Sequence, residues 1–342
     1  MIENLTSNMK SICVGRFLMN APQDARIVGD VKLYFGLDKS FKTVDVSIES
    51  LDSTVATLGT AMDAEALEID RGDKNWKTKK SNLLDYRVVD DHTIYLRQQD
   101  GGESAAASKH ELHLLVGKTQ LALTATSYEG VDGAGRFEPG GRVETPEQVA
   151  ARLFRIASEI RPYETAEKAG PGYCLGPVVV DSGQDEEEGN TYMFLDRYPD
   201  FHFSIYNKGL TPDPSDYLTQ RVKDASGLPQ VHTFRNRDIT LGGIKAHEWL
   251  GRLTDHDHGD ITLLTFVAES MRRDPAMVRP HMNINLDAGG QLVRGPKENI
   301  GKYISSSLTP KEAMGLWDAM IPSIRLRPDA MRQKGDGSMT SR

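Results

Sequence analysis

At 342 residues, with 41 Lys plus Arg against 49 Asp plus Glu, the chain is long enough for two domains that each bury a core. Its formal charge of −8 repels phosphate backbones and excludes nucleic acid as a partner. A hydrophobic share of 38% beside a charged share of 26% is that of a folding globular protein, and no run reaches the roughly 18 apolar residues that a membrane helix needs.

The opening MIENLTSNMK lacks the basic-then-apolar layout of an export leader, so the chain is expected to be cytoplasmic or to have lost one. Cys13-Val14-Gly15 then opens an apolar stretch. Residues 41–50 read as a strand, and 52–71 as a helix with Val55, Leu58, Met62, Ala66 and Ile69 on one side. Residues 86–89 and 93–96 flank Asp90-Asp91, and alternating apolar residues at 112–116 and 121–125 flank Gly117-Lys118, so two hairpins are expected. The glycine-rich stretch 131–136, followed by Gly140-Gly141, reads as a flexible connection. It is no dinucleotide site, because no strand runs through those glycines straight into a helix.

Thr145-Pro146-Glu147-Gln148 combines a capping hydroxyl, a proline at the first helical position and a capping-box acceptor. It predicts a helix whose stripe is Val149, Leu153, Ile156 and Ile160. Residues 162–172, broken by Pro162, Gly170, Pro171 and Gly172, read as a linker. Cys174-Leu175-Gly176 opens a second apolar stretch. The acidic run Asp185, Glu186, Glu187 and Glu188 is expected in a solvated loop able to meet a basic partner patch. Phe201, Phe203 and Ile205 alternate with His202, Ser204 and Tyr206, and Met282, Ile284 and Leu286 alternate with Asn283 and Asn285, as in sheets with one wet face. Between them Asp213-Pro214 opens a helix carrying Tyr217, Leu218, Val222 and Ala225. Finally, Thr309-Pro310-Lys311-Glu312 repeats the earlier helix start 164 residues on, with Ala313, Trp317, Met320 and Ile324 as its stripe and Pro322 expected to end it early.

These correspondences define a weak internal repeat. The expected fold is α+β, with two similar lobes that each combine an antiparallel sheet with amphipathic helices. Their bounds are 1–165 and 173–330, with a flexible tail at 331–342. Because the two cysteines occupy equivalent places in separate lobes, two separate thiols are expected.

A search for catalytic chemistry returns little. There is no GxSxG elbow, and Gly117-Lys118-Thr119 lacks the first glycine of a phosphate loop. The sharpest metal candidate is the segment containing Asp255, His256, Asp257, His258 and Asp260, which also fits an ordinary hairpin loop between the strands at 246–253 and 261–267. His110 and His113 are expected to be solvated strand residues. No cofactor and no metal are expected. A metal-assisted hydrolase built on residues 255–260 and a non-catalytic envelope binding module stand as alternative functions.

The segments that carry the repeat also carry a resemblance. The opening Cys-Val-Gly-Arg-Phe-Leu-Met-Asn-Ala-Pro at 13–22, the entry Gly172-Tyr173-Cys174-Leu175-Gly176, and the ending from Thr309-Pro310 through Leu316-Trp317-Asp318 to residues 323–328 are similar to the two-domain immunity proteins cognate to the fourth class of type VI secretion lipase effectors. The resemblance implies a periplasmic, non-enzymatic inhibitor that binds a phospholipase effector. Asp185, Glu186, Glu187, Glu188, His256, Asp257 and His258 are the expected toxin-contacting residues.

Overall fold

The computed structural model describes residues 5–35, 42–72, 74, 79–99, 107–128, 144–181, 186–208, 217–270 and 280–331. Phe41, Asp185, the Asp213-Pro214 helix start, the glycine-rich stretch 131–136 with Gly140-Gly141, and the tail from 332 therefore lie outside the described residues.

In chain order the strands are β1 (Met9–Val14), β2 (Phe17–Pro22), β3 (Arg26–Tyr34), β4 (Thr43–Ser50), β5 (Leu83–Asp90), β6 (Thr93–Gln99), β7 (Ala107–Val116), β8 (Thr119–Tyr128), β9 (Ile160–Pro162), β10 (Tyr173–Leu175), β11 (Val178–Val180), β12 (Glu187–Leu195), β13 (Tyr198–Lys208), β14 (Val231–Leu241), β15 (Ile244–Asp255), β16 (Ile261–Ser270), β17 (His281–Ala288), β18 (Gly290–Gln291), β19 (Tyr303–Ile304) and β20 (Arg325–Leu326). The helices are α1 (Val55–Arg71), α2 (Pro146–Ser158), α3 (Leu218–Ala225) and α4 (Pro310–Met320). Two compact units result. The N unit comprises Asp30–Pro162 and Pro177–Glu187, and the C unit comprises Met1–Gly29, Tyr163–Gly176 and Glu188–Arg342.

In the N unit the strand order is β3-β4-β8-β7-β6-β5, every paired neighbour antiparallel. Alternation puts Val31, Leu33, Val44, Val46, Leu112, Leu121 and Leu123 in the core, where α2 packs across β8 and β7. Helix α1 buries Leu58 and Met62 against Ile94 and Leu115, while Val55, expected on its inner face, is 42% exposed. In the C unit the order is β14-β15-β16-β17-β13-β12, again antiparallel. Phe203, Ile205, Phe266, Ile284 and Leu286 join Trp317 and Met320 of α4 in one core cluster. Helix α3 sets Leu218 against Trp249 and Val267.

Both expected capping boxes form. Thr145 accepts from the Gln148 amide while the Gln148 side chain accepts from the Thr145 amide, and Thr309 and Glu312 do the same. Leu153 and Trp317 are each fully buried. The stripes stop one position short of expectation, however. Ile160 lies in β9, and Pro322 turns the chain into a short 3-10 turn at Ile321–Ser323, so Ile324 is beyond the helix.

Each compact unit is built from more than one stretch of the chain. The opening hairpin β1-β2 belongs to the C unit, where β2 pairs with β20 near the other end of the described chain. In the N unit β9 pairs with β11. The expected linker 162–172 is packed rather than free. Ala166 and Ala169 are buried, and the Arg327 guanidinium donates to the carbonyls of Gly170 and Gly172.

The expectation of two separate thiols is also corrected, because Cys13 and Cys174 form a disulfide with Cα atoms 5.7 Å apart. Gly15 exchanges backbone hydrogen bonds with Cys174 at 3.2 and 2.9 Å, which brings the two chain segments within bridging reach. Gly15 has φ +56°, and a Cβ there would meet the Asn207 amide at 3.0 Å and the Tyr173 ring at 3.1 Å. Only glycine suits both that backbone conformation and that approach.

Candidate functional site

The described part of the acidic run is not a solvated loop. Glu187 and Glu188 begin β12, and Glu187 is buried. The Glu186 carbonyl accepts from the Tyr34 amide within the N unit. A buried strand carboxylate is poorly placed to steer a partner through solvent, so Glu186 and Glu188, both half-buried, carry what accessibility the described part of this run has.

Residues 255–260 form the tip between β15 and β16. Asp255 accepts from the backbone amides of Asp257 and His258 and from His258 Nδ1 at 2.8 Å, and the His258 hydrogen bond leads the effects that hold its carboxyl below the usual carboxylate range. His256 Nδ1 pairs with Asp260 at 2.6 Å. The His258 ring stacks on Tyr303, centroids 3.5 Å apart and 6° from parallel. Each imidazole thus turns to its own carboxylate, and among the described residues no three metal-ligating side chains gather to hold an ion. What the tip presents is an exposed, hydrogen-bonded set of two histidines and three aspartates.

His110 and His113 depart most from expectation, because both are buried. Their strand β7 is central in its sheet, and polar groups at such positions persist only when hydrogen-bonded. His110 Nδ1 lies 2.7 Å from the Tyr95 hydroxyl and its Nε2 lies 2.8 Å from Ser127 Oγ, which is 2.9 Å from Ser108 Oγ. Burial, with Arg97 nearby, pushes the imidazole down to about 4. His113 Nδ1 meets Glu49 at 3.1 Å, and Gln120 donates to the same carboxylate at 2.6 Å while accepting from Ser53. A Ser-His pair suggests nucleophilic chemistry, yet His110 is 0% exposed and Ser127 1% exposed, so no substrate reaches them. Strand alternation gave no sign of this, since these polar residues occupy both faces of β7.

A groove of about 710 Å³ lies beside α1 in the N unit, lined among others by Glu65, Glu68, Asn82, Gln98 and Gln99. Burial raises the Glu65 carboxyl above its usual range, but among the described lining residues no nucleophile completes a reacting set there.

Residues 168–329 match the family described as Tle cognate immunity protein 4 C-terminal domain. A chain of "The crystal structure of Tle4-Tli4 complex" has the same fold, with a TM-score of 0.63 at 19% identity, covering 94% of this chain and 99% of that one. The apo structure of the immunity protein TplEi of T6SS from Pseudomonas aeruginosa gives a TM-score of 0.63 at 18% identity over 96% of this chain and 99% of that one. The same protein complexed with "L" peptide gives 0.57 at 19% identity over 94% and 99%. No curated protein matches the sequence. The resemblance read from the repeat segments is thereby upheld.

Proposed function

We propose that this chain, which carries a Tle cognate immunity protein 4 C-terminal domain over residues 168–329, is an immunity protein that binds and inhibits a phospholipase effector of type VI secretion. The observation that carries the reading is the combination of that domain with a fold shared over 94% of the chain with the protein of the Tle4-Tli4 complex. The protein acts by stoichiometric binding rather than catalysis, a reading supported by the sealed His110 network and by histidines at the 255–260 tip that are held by separate carboxylates.

The site of action on this reading is the periplasm. The disulfide supports it, since such bridges form and persist in oxidising compartments, and no helix among the described residues is long and apolar enough to cross a membrane. Contact with the effector is assigned to Asp185, Glu186, Glu187 and Glu188 and to His256, Asp257 and His258, with the exposed tip the better presented of the two groups.

The two halves are read as duplicates over 1–165 and 173–330. Strand order supports this: β3-β4-β8-β7-β6-β5 becomes β12-β13-β17-β16-β15-β14 when each label is raised by nine. Helix α1 follows β4 as α3 follows β13, and α2 follows β8 as α4 comes after β17.

The experiment is inhibition of a purified Tle4-class phospholipase from the same genome. One equivalent of this chain should abolish hydrolysis of phospholipid vesicles and co-elute with the enzyme. Undiminished hydrolysis at a large molar excess, or hydrolysis by the chain alone, would refute the reading.

A further inference from the structure

In the C unit, Phe203, Ile205, Ile284, Leu286, Phe266 and Ala268 point into the core, so the residues between them lie on the opposite face of the sheet. Cross-strand register orders that face into rows. His202, Asp287 and Thr265 form one, Ser204, Asn285 and Val267 the next, and Tyr206, Asn283 and Glu269 a third. Apart from buried Val267 and Glu269, these residues are half-buried. The rings of Tyr192 and Phe194 sit 5.6 and 5.8 Å from His202. Among the described residues, helix α3 covers the Trp249, Val267 and Glu269 end of this face.

Asp287 stands out on it. Its carboxylate is hydrogen-bonded by Thr265, and among the described residues no Lys, Arg or His is ion-paired with it. Among the described residues, charged groups on and beside this face have partners of their own. Glu269 pairs with Arg221 and His281, while Arg294 lies 3.8 Å over Phe194, donates to the carbonyls of Pro199 and Phe201, and feels Asp196 and Asp200. Burial pushes the Asp287 carboxyl up to about 6, and the same cause lowers His202.

The equivalent face of the N unit differs. There the row runs Lys32, Asp45, Thr124, Glu111, and each carboxylate has its own lysine, Asp45 with Lys32 at 3.4 Å and Glu111 with Lys109 at 2.9 Å. Withdrawing a carboxylate from water without a cation destabilises the free protein. Groups held in that condition cluster where a ligand supplies the missing charge. Aromatic rings and amides beside the carboxylate are the surface that receives an arginine, whose guanidinium stacks on rings and forks onto a carboxylate.

We propose that this face of the C unit is a docking surface for a basic segment of a partner protein, with an arginine or lysine of that partner pairing with Asp287. The identity of the partner as the phospholipase effector rests on the function proposed above.

The test uses the full-length chain and the Asp287→Asn variant, with Asp45→Asn as control. In titration calorimetry against the Tle4-class phospholipase, Asp287→Asn should weaken binding by at least ~30-fold, the loss expected when one partner of a buried charge pair is removed, while Asp45→Asn changes it little. Wild-type affinity in Asp287→Asn overturns the proposal. A second arm is independent of the effector. The carboxyl carbon resonance of Asp287 is titrated with and without acetyl-Gly-Arg-Gly-amide at about 50 mM, enough to populate a millimolar site. The arginine peptide should lower the Asp287 midpoint from about 6, and its citrulline counterpart should not. If the unaltered chain fails to bind the phospholipase, the immunity reading falls while this arm still decides the docking face. Equal midpoints with both peptides overturn it.

Discussion

Breaking the bond between Cys13 and Cys174 perturbs the C unit without removing an atom from its packing, if it is done by reduction. Both cysteines are essentially fully buried, and the bridge closes a loop with a sequence separation of 161. Chain entropy puts the loss at about 5 kcal/mol for a loop of that size, and native bridges commonly return 2–5 kcal/mol. The C unit holds roughly 200 residues. At about 2.1 cal/mol/K per residue its unfolding entropy is roughly 0.4 kcal/mol/K, so its thermal midpoint should fall by about 5–12 °C. The assay is calorimetry of oxidised and reduced protein at the same pH, with a Cys13→Ala, Cys174→Ala variant as the non-reducible reference. The N unit contains neither cysteine, so a transition belonging to it should move less. Coincident midpoints for oxidised and reduced protein would show that the bridge does not constrain the unfolded chain, and the entropic argument would fail.

Trp317 is fully buried, meets Phe266 edge to face at 5.9 Å and donates from Nε1 to Glu248 at 2.8 Å, so Trp317→Ala should cost about 3–5 kcal/mol. Leu153→Ala on α2 should cost about 2–5 kcal/mol, and an unchanged denaturation midpoint in either variant would place its side chain at the surface. His110, lowered to about 4, should show no ring-proton titration near pH 6.5 in NMR spectra. Because its folded value lies below its unfolded one, it favours unfolding increasingly as pH falls from about 6.5 toward 4. A midpoint near 6.5 would mean that water reaches the ring.

Where a residue's role depends on neighbours a few positions away, the chain announces it. Thr145 and Gln148, or Thr309 and Glu312, close a capping box within one turn, and the 3.6-residue period places Leu153 and Trp317 on buried stripes before any tertiary contact is considered. The two-residue period of 201–206 and 282–286 likewise sorts core from polar face. Asp287 continues that polar face, but that no cation among the described residues pairs with it depends on which strands flank it, and its partners in register lie at 202 and 265.

The amino-acid sequence by itself determined the local elements and the resemblance to an immunity family, because caps, periods and turn residues act through short-range geometry. Tertiary structure alone decided that β2 pairs with β20 and β9 with β11, and that Gly15 pairs with Cys174 and so brings Cys13 and Cys174 into one bridge. It also decided that His110 and His113 are buried, because helices α1 and α2 pack against β7. Pairing between segments as far apart as 17 and 326 leaves no periodic trace in either. It is selected by the burial and hydrogen bonding that only the assembled sheet provides.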